Sequence, residues 1–101
     1  MDMKIWVDDV RPAPEGYFWA KTVKKAAIAI EEAEHLKVKI ELIDIDHGAG
    51  DYALDGGDYI KLLDWLEKTG RNYPIRIHSA NPVIVENMRD IIRRNGWTEI
   101  K

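Results

Sequence analysis

The amino-acid sequence predicts a three-layer α/β domain built on a mainly parallel five-stranded sheet, and three observations carry that expectation. Short apolar segments alternate with amphipathic stretches of helical spacing along most of the chain, the pattern of strand–helix–strand units. Three of the apolar segments run directly into polar clusters. Ile5-Trp6-Val7 runs into Asp8-Asp9, Leu42-Ile43 into Asp44-Ile45-Asp46-His47, and Ile75-Arg76-Ile77 into His78-Ser79-Ala80-Asn81. The segment Arg11-Pro12-Ala13-Pro14-Glu15-Gly16 opposes regular structure, so no helix is expected between the first two strands.

Met3 to Val7 reads as the first strand and Tyr17 to Lys21 as a short aromatic second one. Thr22 is the candidate N-cap of a helix in which Val23, Ala26, Ala27, Ile30 and Ala33 recur at helical spacing, ending near Leu36. Lys25 occupies the position where a capping box would place an acid. Val38 to Asp46 forms the third strand. It alternates at first and turns wholly apolar at Leu42-Ile43, as a strand covered on both faces does. Gly48 to Gly57 is a glycine- and aspartate-rich loop. Asp58 is positioned to cap a helix carrying Tyr59, Leu62, Leu63 and Leu66 and closed by Gly70. Ile75 to Ser79 is the fourth strand. Asn81-Pro82 starts a third helix lined by Val85, Met88, Ile91 and Ile92 and ended by Asn95-Gly96. Thr98 to Ile100 is expected as a fifth, edge strand.

The chain of 101 residues suits one domain spanning residues 1–101. With 46% apolar and 33% charged residues it has the balance of a folded globular protein. The net charge of -3 argues against a broad nucleic-acid footprint but is compatible with one RNA end in a local pocket. The lack of cysteine rules out thiolate metal sites. No apolar run approaches the ~20 residues of a membrane span. Met1-Asp2-Met3-Lys4 lacks the apolar core of a signal peptide, so a cytoplasmic location is expected.

In open α/β sheets ligands bind at the C-terminal rim of the strands, where these polar clusters fall. Asp8, Asp9, Asp44 and Asp46 are the candidate ligands of Mg²⁺ or Mn²⁺, because hard cations take carboxylate oxygens and relieve the repulsion between converging acids. Adjacent Asp8 and Asp9 point to opposite faces of an extended strand, but a turn at the strand end can gather both. Asp44 and Asp46 share a face. Asp44, following the apolar run directly, is the member expected to function. His78 titrates near neutrality and is the candidate proton-transfer group, with His47 as a second. Ser79 and Asn81 are candidate donors to phosphoryl oxygens, although helix capping alone explains Asn81. The N–H groups at that helix start offer an anion site. Arg11 is a candidate phosphate clamp. His35, among Glu31, Glu32 and Glu34, is expected on the surface. The tryptophans are expected in the core or at its rim, Trp19 being the one that an edge strand exposes.

The strand ends resemble those of response-regulator receiver domains, which carry an acidic pair, a phosphorylated Asp, a Ser or Thr and a Lys after successive strands. Asp8-Asp9, Asp44 and Ser79 match the first three, and Lys101 is the candidate for the last. This resemblance implies the flavodoxin-like strand order 2-1-3-4-5. The strings Val7-Asp8-Asp9-Val10-Arg11-Pro12, Asp44-Ile45-Asp46 and His78-Ser79-Ala80-Asn81-Pro82, with Asn87-Met88 downstream, are similar more narrowly to the cyclic-phosphate-processing receiver family. That similarity implies a metal-assisted phosphoesterase acting on a small phosphorylated ligand or an RNA end bearing a cyclic phosphate. The family reads Asp-His-Asp-Leu after the third strand. Here Ile45 stands in the first histidine's place, so either His47 reaches the site from the loop or the site has lost a catalytic group. The alternative expectation is a non-catalytic signalling module using Asp44 as phosphoacceptor. Such a module needs the terminal lysine, whereas a hydrolase needs the histidines.

Overall fold

Parallel pairing in register brings the C-terminal ends of all strands to one rim, and that is the arrangement found. The computed structural model describes residues 2–48 and 58–101. Its elements are β1 (Asp2–Val7), β2 (Tyr17–Ala20), α1 (Val23–His35), β3 (Lys39–Ile45), α2 (Ile60–Lys68), β4 (Ile75–Ile77) and α3 (Pro82–Asn95). The sheet order is β2-β1-β3-β4, every pair parallel. Trp19, Trp6, Asp44 and Arg76 form one cross-strand row.

The local signals for the helices act as read, with one exception. Thr22 accepts the Lys25 N–H at 2.9 Å and starts α1. Asn81 starts α3 with Pro82 in its first turn, and Gly96 ends it at a φ of 67° that favours glycine. The exception is α2. Its cap position falls at Tyr59, one residue past Asp58, and the Tyr59 side chain makes no cap bond. Tyr59 is fully buried instead, its hydroxyl donating to the Lys21 carbonyl at 2.8 Å. The Gly48–Gly57 loop falls outside the described residues from residue 49 onward.

Strand residues of one parity, Ile5, Val7, Ala20, Ile43, Ile45 and Ile75, join the helix residues Ile30, Leu62, Leu66, Met88 and Ile92 in a single core. The other parity carries Lys4, Trp6, Tyr17, Trp19, Asp44 and Arg76, none of which belongs to that core. The three helices lie side by side, α1 against α2 and α2 against α3. The expected third layer is therefore missing among the described residues, and the physical reason is topological. The connections β2 to β3, β3 to β4 and β4 to the C-terminal segment all step the same way across the sheet. Right-handed crossovers then place all three helices on one face. Only the β1-to-β2 connection steps the other way, and residues 8–16 make it as a loop. That loop crosses the opposite face, where Trp6 Nε1 donates to the Arg11 carbonyl at 2.9 Å.

The expected fifth strand is also reduced. Ile75 pairs with Glu99 in a single parallel bridge, with Ile75 N donating to Thr98 O and Ile100 N to Ile75 O. A three-residue β4 offers little ladder to extend, and Glu99 is held by Arg89 at 2.9 Å. Continuing the bridge's register sets Lys101 beside Ile77, one residue short of the rim. Among the described residues no helix is long and apolar enough to cross a membrane.

Candidate metal and phosphate site

Two residues beyond the Trp6–Asp44–Arg76 row, the same face of the sheet carries Asp8, Asp46 and His78. The rim backbone keeps this second row in line: Asp46 N donates to Val7 O and His78 N to Ile45 O, each at 2.9 Å. One ligand atom from each of the three side chains lies within 4.8 Å of the others. Period-2 alternation thus decides the membership. Asp8 enters the cluster and its neighbour Asp9 does not. Asp46 enters it, whereas Asp44 lies one row behind. Ile45, between them, points into the core and is fully buried.

Asp8 divides its carboxylate between two tasks. Oδ1 accepts from the Val10 and Arg11 N–H groups at 2.9 and 3.0 Å, bending the chain out of β1. Oδ2 meets His78 Nε2 at 2.9 Å. Burial opposes the Asp8 charge, but the two backbone donors and His78 outweigh it and hold the carboxyl below the usual 3.8.

His78 is gripped at both ring nitrogens, Nδ1 meeting Asp44 Oδ1 at 2.6 Å. Its ring stacks on Trp6 at 3.9 Å with planes 6° apart. Burial opposes the imidazolium, yet the bonds to Asp44 and Asp8 and their negative charge raise its pKa above the ordinary 6.5. Asp44 is sealed behind it, with a side chain 1% exposed. Its Oδ2 is buried without a hydrogen bond. The Arg76 guanidinium, 3.7 Å away, contributes charge to it at beyond hydrogen-bond length.

His47 does reach the site. Its Nδ1 lies 3.1 Å from Asp46 Oδ1 and 2.7 Å from Ser79 Oγ. A carboxylate only accepts, so Nδ1 is the donor in the bond to Asp46. Ser79 Oγ then accepts from His47 and from the Asn81 N–H at 3.2 Å, leaving its own proton to donate. Arg11 is exposed and reaches the His78 carbonyl with Nη1 at 3.4 Å, so the crossing loop brings its guanidinium to the rim. Asn81 is committed elsewhere. Its Oδ1 accepts from Val83 N and Ile84 N at 3.1 and 3.2 Å, occupying the helix N–H groups expected to offer an anion site. Asn81→Ala is accordingly expected to cost about 1 kcal/mol in chemical denaturation, as cap removal does. Any activity of the site should be unchanged, and a larger loss of activity than of stability would return Asn81 to the site.

Two participants escaped the sequence reading. Trp6 and Arg76 both sit within strands at the parity of the polar row. An aromatic residue two positions before Asp8, and a charge between Ile75 and Ile77, are the signals that mark them. Trp97 and Trp65 pack in or against the core as expected, and His35 is exposed. Trp19 is half-buried, tied by Nε1 to the Asp8 carbonyl at 2.8 Å.

The donor set passes the chemical test for a divalent cation. Two carboxylates and an imidazole converge, and the imidazole's second nitrogen rests on a carboxylate, the Asp44–His78 pairing that orients histidine ligands in metal sites. The imidazole makes the set softer than Mg²⁺ favours, so Mn²⁺ is the better match of the two.

A parallel sheet of order 2-1-3-4 with carboxylates gathered at its C-terminal rim defines a receiver-like domain. The chain belongs to the cyclic-phosphate processing receiver domain family, whose family profile matches residues 3–94. Neither a curated protein nor a solved structure matches it.

Proposed function

We propose that Asp8, Asp46 and His78 hold a divalent cation, Mn²⁺ before Mg²⁺, and that the domain hydrolyses cyclic phosphate esters on nucleotides or RNA ends. The observation that carries the reading is the carboxylate backing of His78, which directs Nε2 toward the two rim aspartates. The family's name supports the substrate class. When bound, the cation would offset phosphoryl charge and favour attack at phosphorus.

His78, gripped by two carboxylates, is poorly placed to shuttle protons, so that role passes to His47. Its Nε2 makes no hydrogen bond among the described residues, and Asp46 and Ser79 orient the ring. In ring opening, water forms a new bond to phosphorus as the bond to one ribose oxygen breaks. Nε2 takes the water's proton and returns it to the departing oxygen. The Ser79 hydroxyl and the Arg11 fork supply hydrogen bonds to the non-bridging oxygens. His47→Ala should lower turnover of a 2′,3′-cyclic nucleotide by ~10²–10⁴-fold, the range for a general acid–base group. The thermal midpoint should barely move, because the side chain is 37% exposed. Equal turnover by both proteins would end this assignment. A wild type that binds Mn²⁺ yet opens no cyclic phosphate would end the hydrolase reading.

The phosphoacceptor alternative loses its original residue, since Asp44 is closed to any phosphodonor by His78 and its own burial. Labelling of Asp46 by acetyl phosphate, in a protein without turnover, would be the result that revives it.

A further inference from the structure

The outward face of α1 carries a charge pattern that the isolated helix does not explain. Lys24 and Lys25 stand in its first turn and Glu31 and Glu32 toward its end. This order is the reverse of what the helix macrodipole favours. Each lysine is six to eight residues from the two acids, beyond the reach of i,i+4 pairing. Among the described residues none of the four forms an ion pair within the chain. Midway between them Ile28 is 45% exposed, in a helix whose opposite side is buried. Beside this face Phe18, on the edge strand β2, is 46% exposed and Leu36 is 70% exposed. Both line a groove of about 280 Å³ with Met3, Ala29, Glu32 and Val38.

We propose that this face is a self-association surface that takes a second copy of the chain, with the two α1 helices antiparallel about a two-fold axis at Ile28. The pattern is symmetric in position about Ile28 and opposite in charge. A two-fold there sets Lys24 against Glu31 of the partner subunit, Lys25 against Glu32 of the partner subunit, and Ile28 against its own copy. Each contact occurs twice, as an isologous interface requires. Antiparallel helices also oppose their dipoles. A single helix face with a flanking groove buries less than the roughly 1,600 Å² of a standard interface, so the dimer is a concentration-dependent one.

Sedimentation velocity across a concentration series tests this directly. The wild type should shift from monomer to dimer with concentration, and Ile28→Glu should lose the shift. Lys24→Glu with Lys25→Glu should remain monomeric, as should Glu31→Lys with Glu32→Lys, because each faces like charge across the axis. Unfolding does not confuse the first pair, since acids in the first turn suit the helix dipole. Mixing the two charge-reversed proteins should restore a dimer, one chain being acidic and the other basic along the whole face. A wild type that stays monomeric to ~1 mM, a dimer that survives Ile28→Glu, or a mixture that fails to associate overturns the proposal.

Discussion

Asp46→Asn is expected to abolish Mn²⁺ binding, while Asp44→Asn should weaken it only about 10–100-fold, the usual effect of removing a group that orients a ligand. The sequence makes Asp44 the more obvious ligand, so the two variants separate the readings. Asp46 contributes a rim oxygen to the cluster with Asp8 and His78. Asp44 touches His78 Nδ1 instead and acts by fixing which nitrogen faces the cation. Titration calorimetry on both variants at one pH decides the matter. Lost binding in Asp44→Asn with retained binding in Asp46→Asn would place the cation one row deeper than the geometry indicates.

The second large effect falls on stability. His78→Ala leaves Asp8 and Asp44, each with a side chain 1% exposed, as neighbouring buried carboxylates without their shared cation. Breaking a buried pair in this way costs about 3–5 kcal/mol. For a domain of this size the thermal midpoint should fall by roughly 20 °C in metal-free buffer. Asp44→Asn in the same chain should recover part of that loss, as coupling between contacting groups requires. A His78→Ala protein as stable as the wild type would show that the grip on the imidazole contributes little.

The same grip sets the pH profile of the metal-free protein. The raised His78 pKa means its stabilisation is fully present below the unfolded value of 6.5 and is lost as pH rises through the folded value. The lowered Asp8 pKa means its share is present above 3.8 and is lost as pH falls through the folded value. Wild-type stability should therefore be greatest between these limits and decline above pH 6.5. The decline above pH 6.5 should vanish in His78→Ala.

Much of this was legible in the residues. The helices follow from spacing and caps, as Thr22, Asn81 and Gly96 illustrate, because those signals act within a turn. The parallel strands follow from apolar runs ending in polar clusters. The gathering of acids and histidines at one rim follows from the same strings. Three assignments could not be read locally. The cap position of α2 moved from Asp58 to Tyr59, whose burial governs the entry to the helix. The fifth strand shrank to a bridge because β4 itself is short. The third layer is absent among the described residues because crossover direction depends on strand order, which no single segment encodes.

The sequence by itself determined the element types, the family and the stock of groups available to the rim. Tertiary structure alone decided their roles. Register between strands put Asp46 on the rim and Asp44 behind it, although both share a face and stand two residues apart. It also closed His78 between two carboxylates that are distant in the chain. Side-chain parity follows from each strand alone, but row and partner depend on how neighbouring strands align. That alignment is settled only when the strands pack.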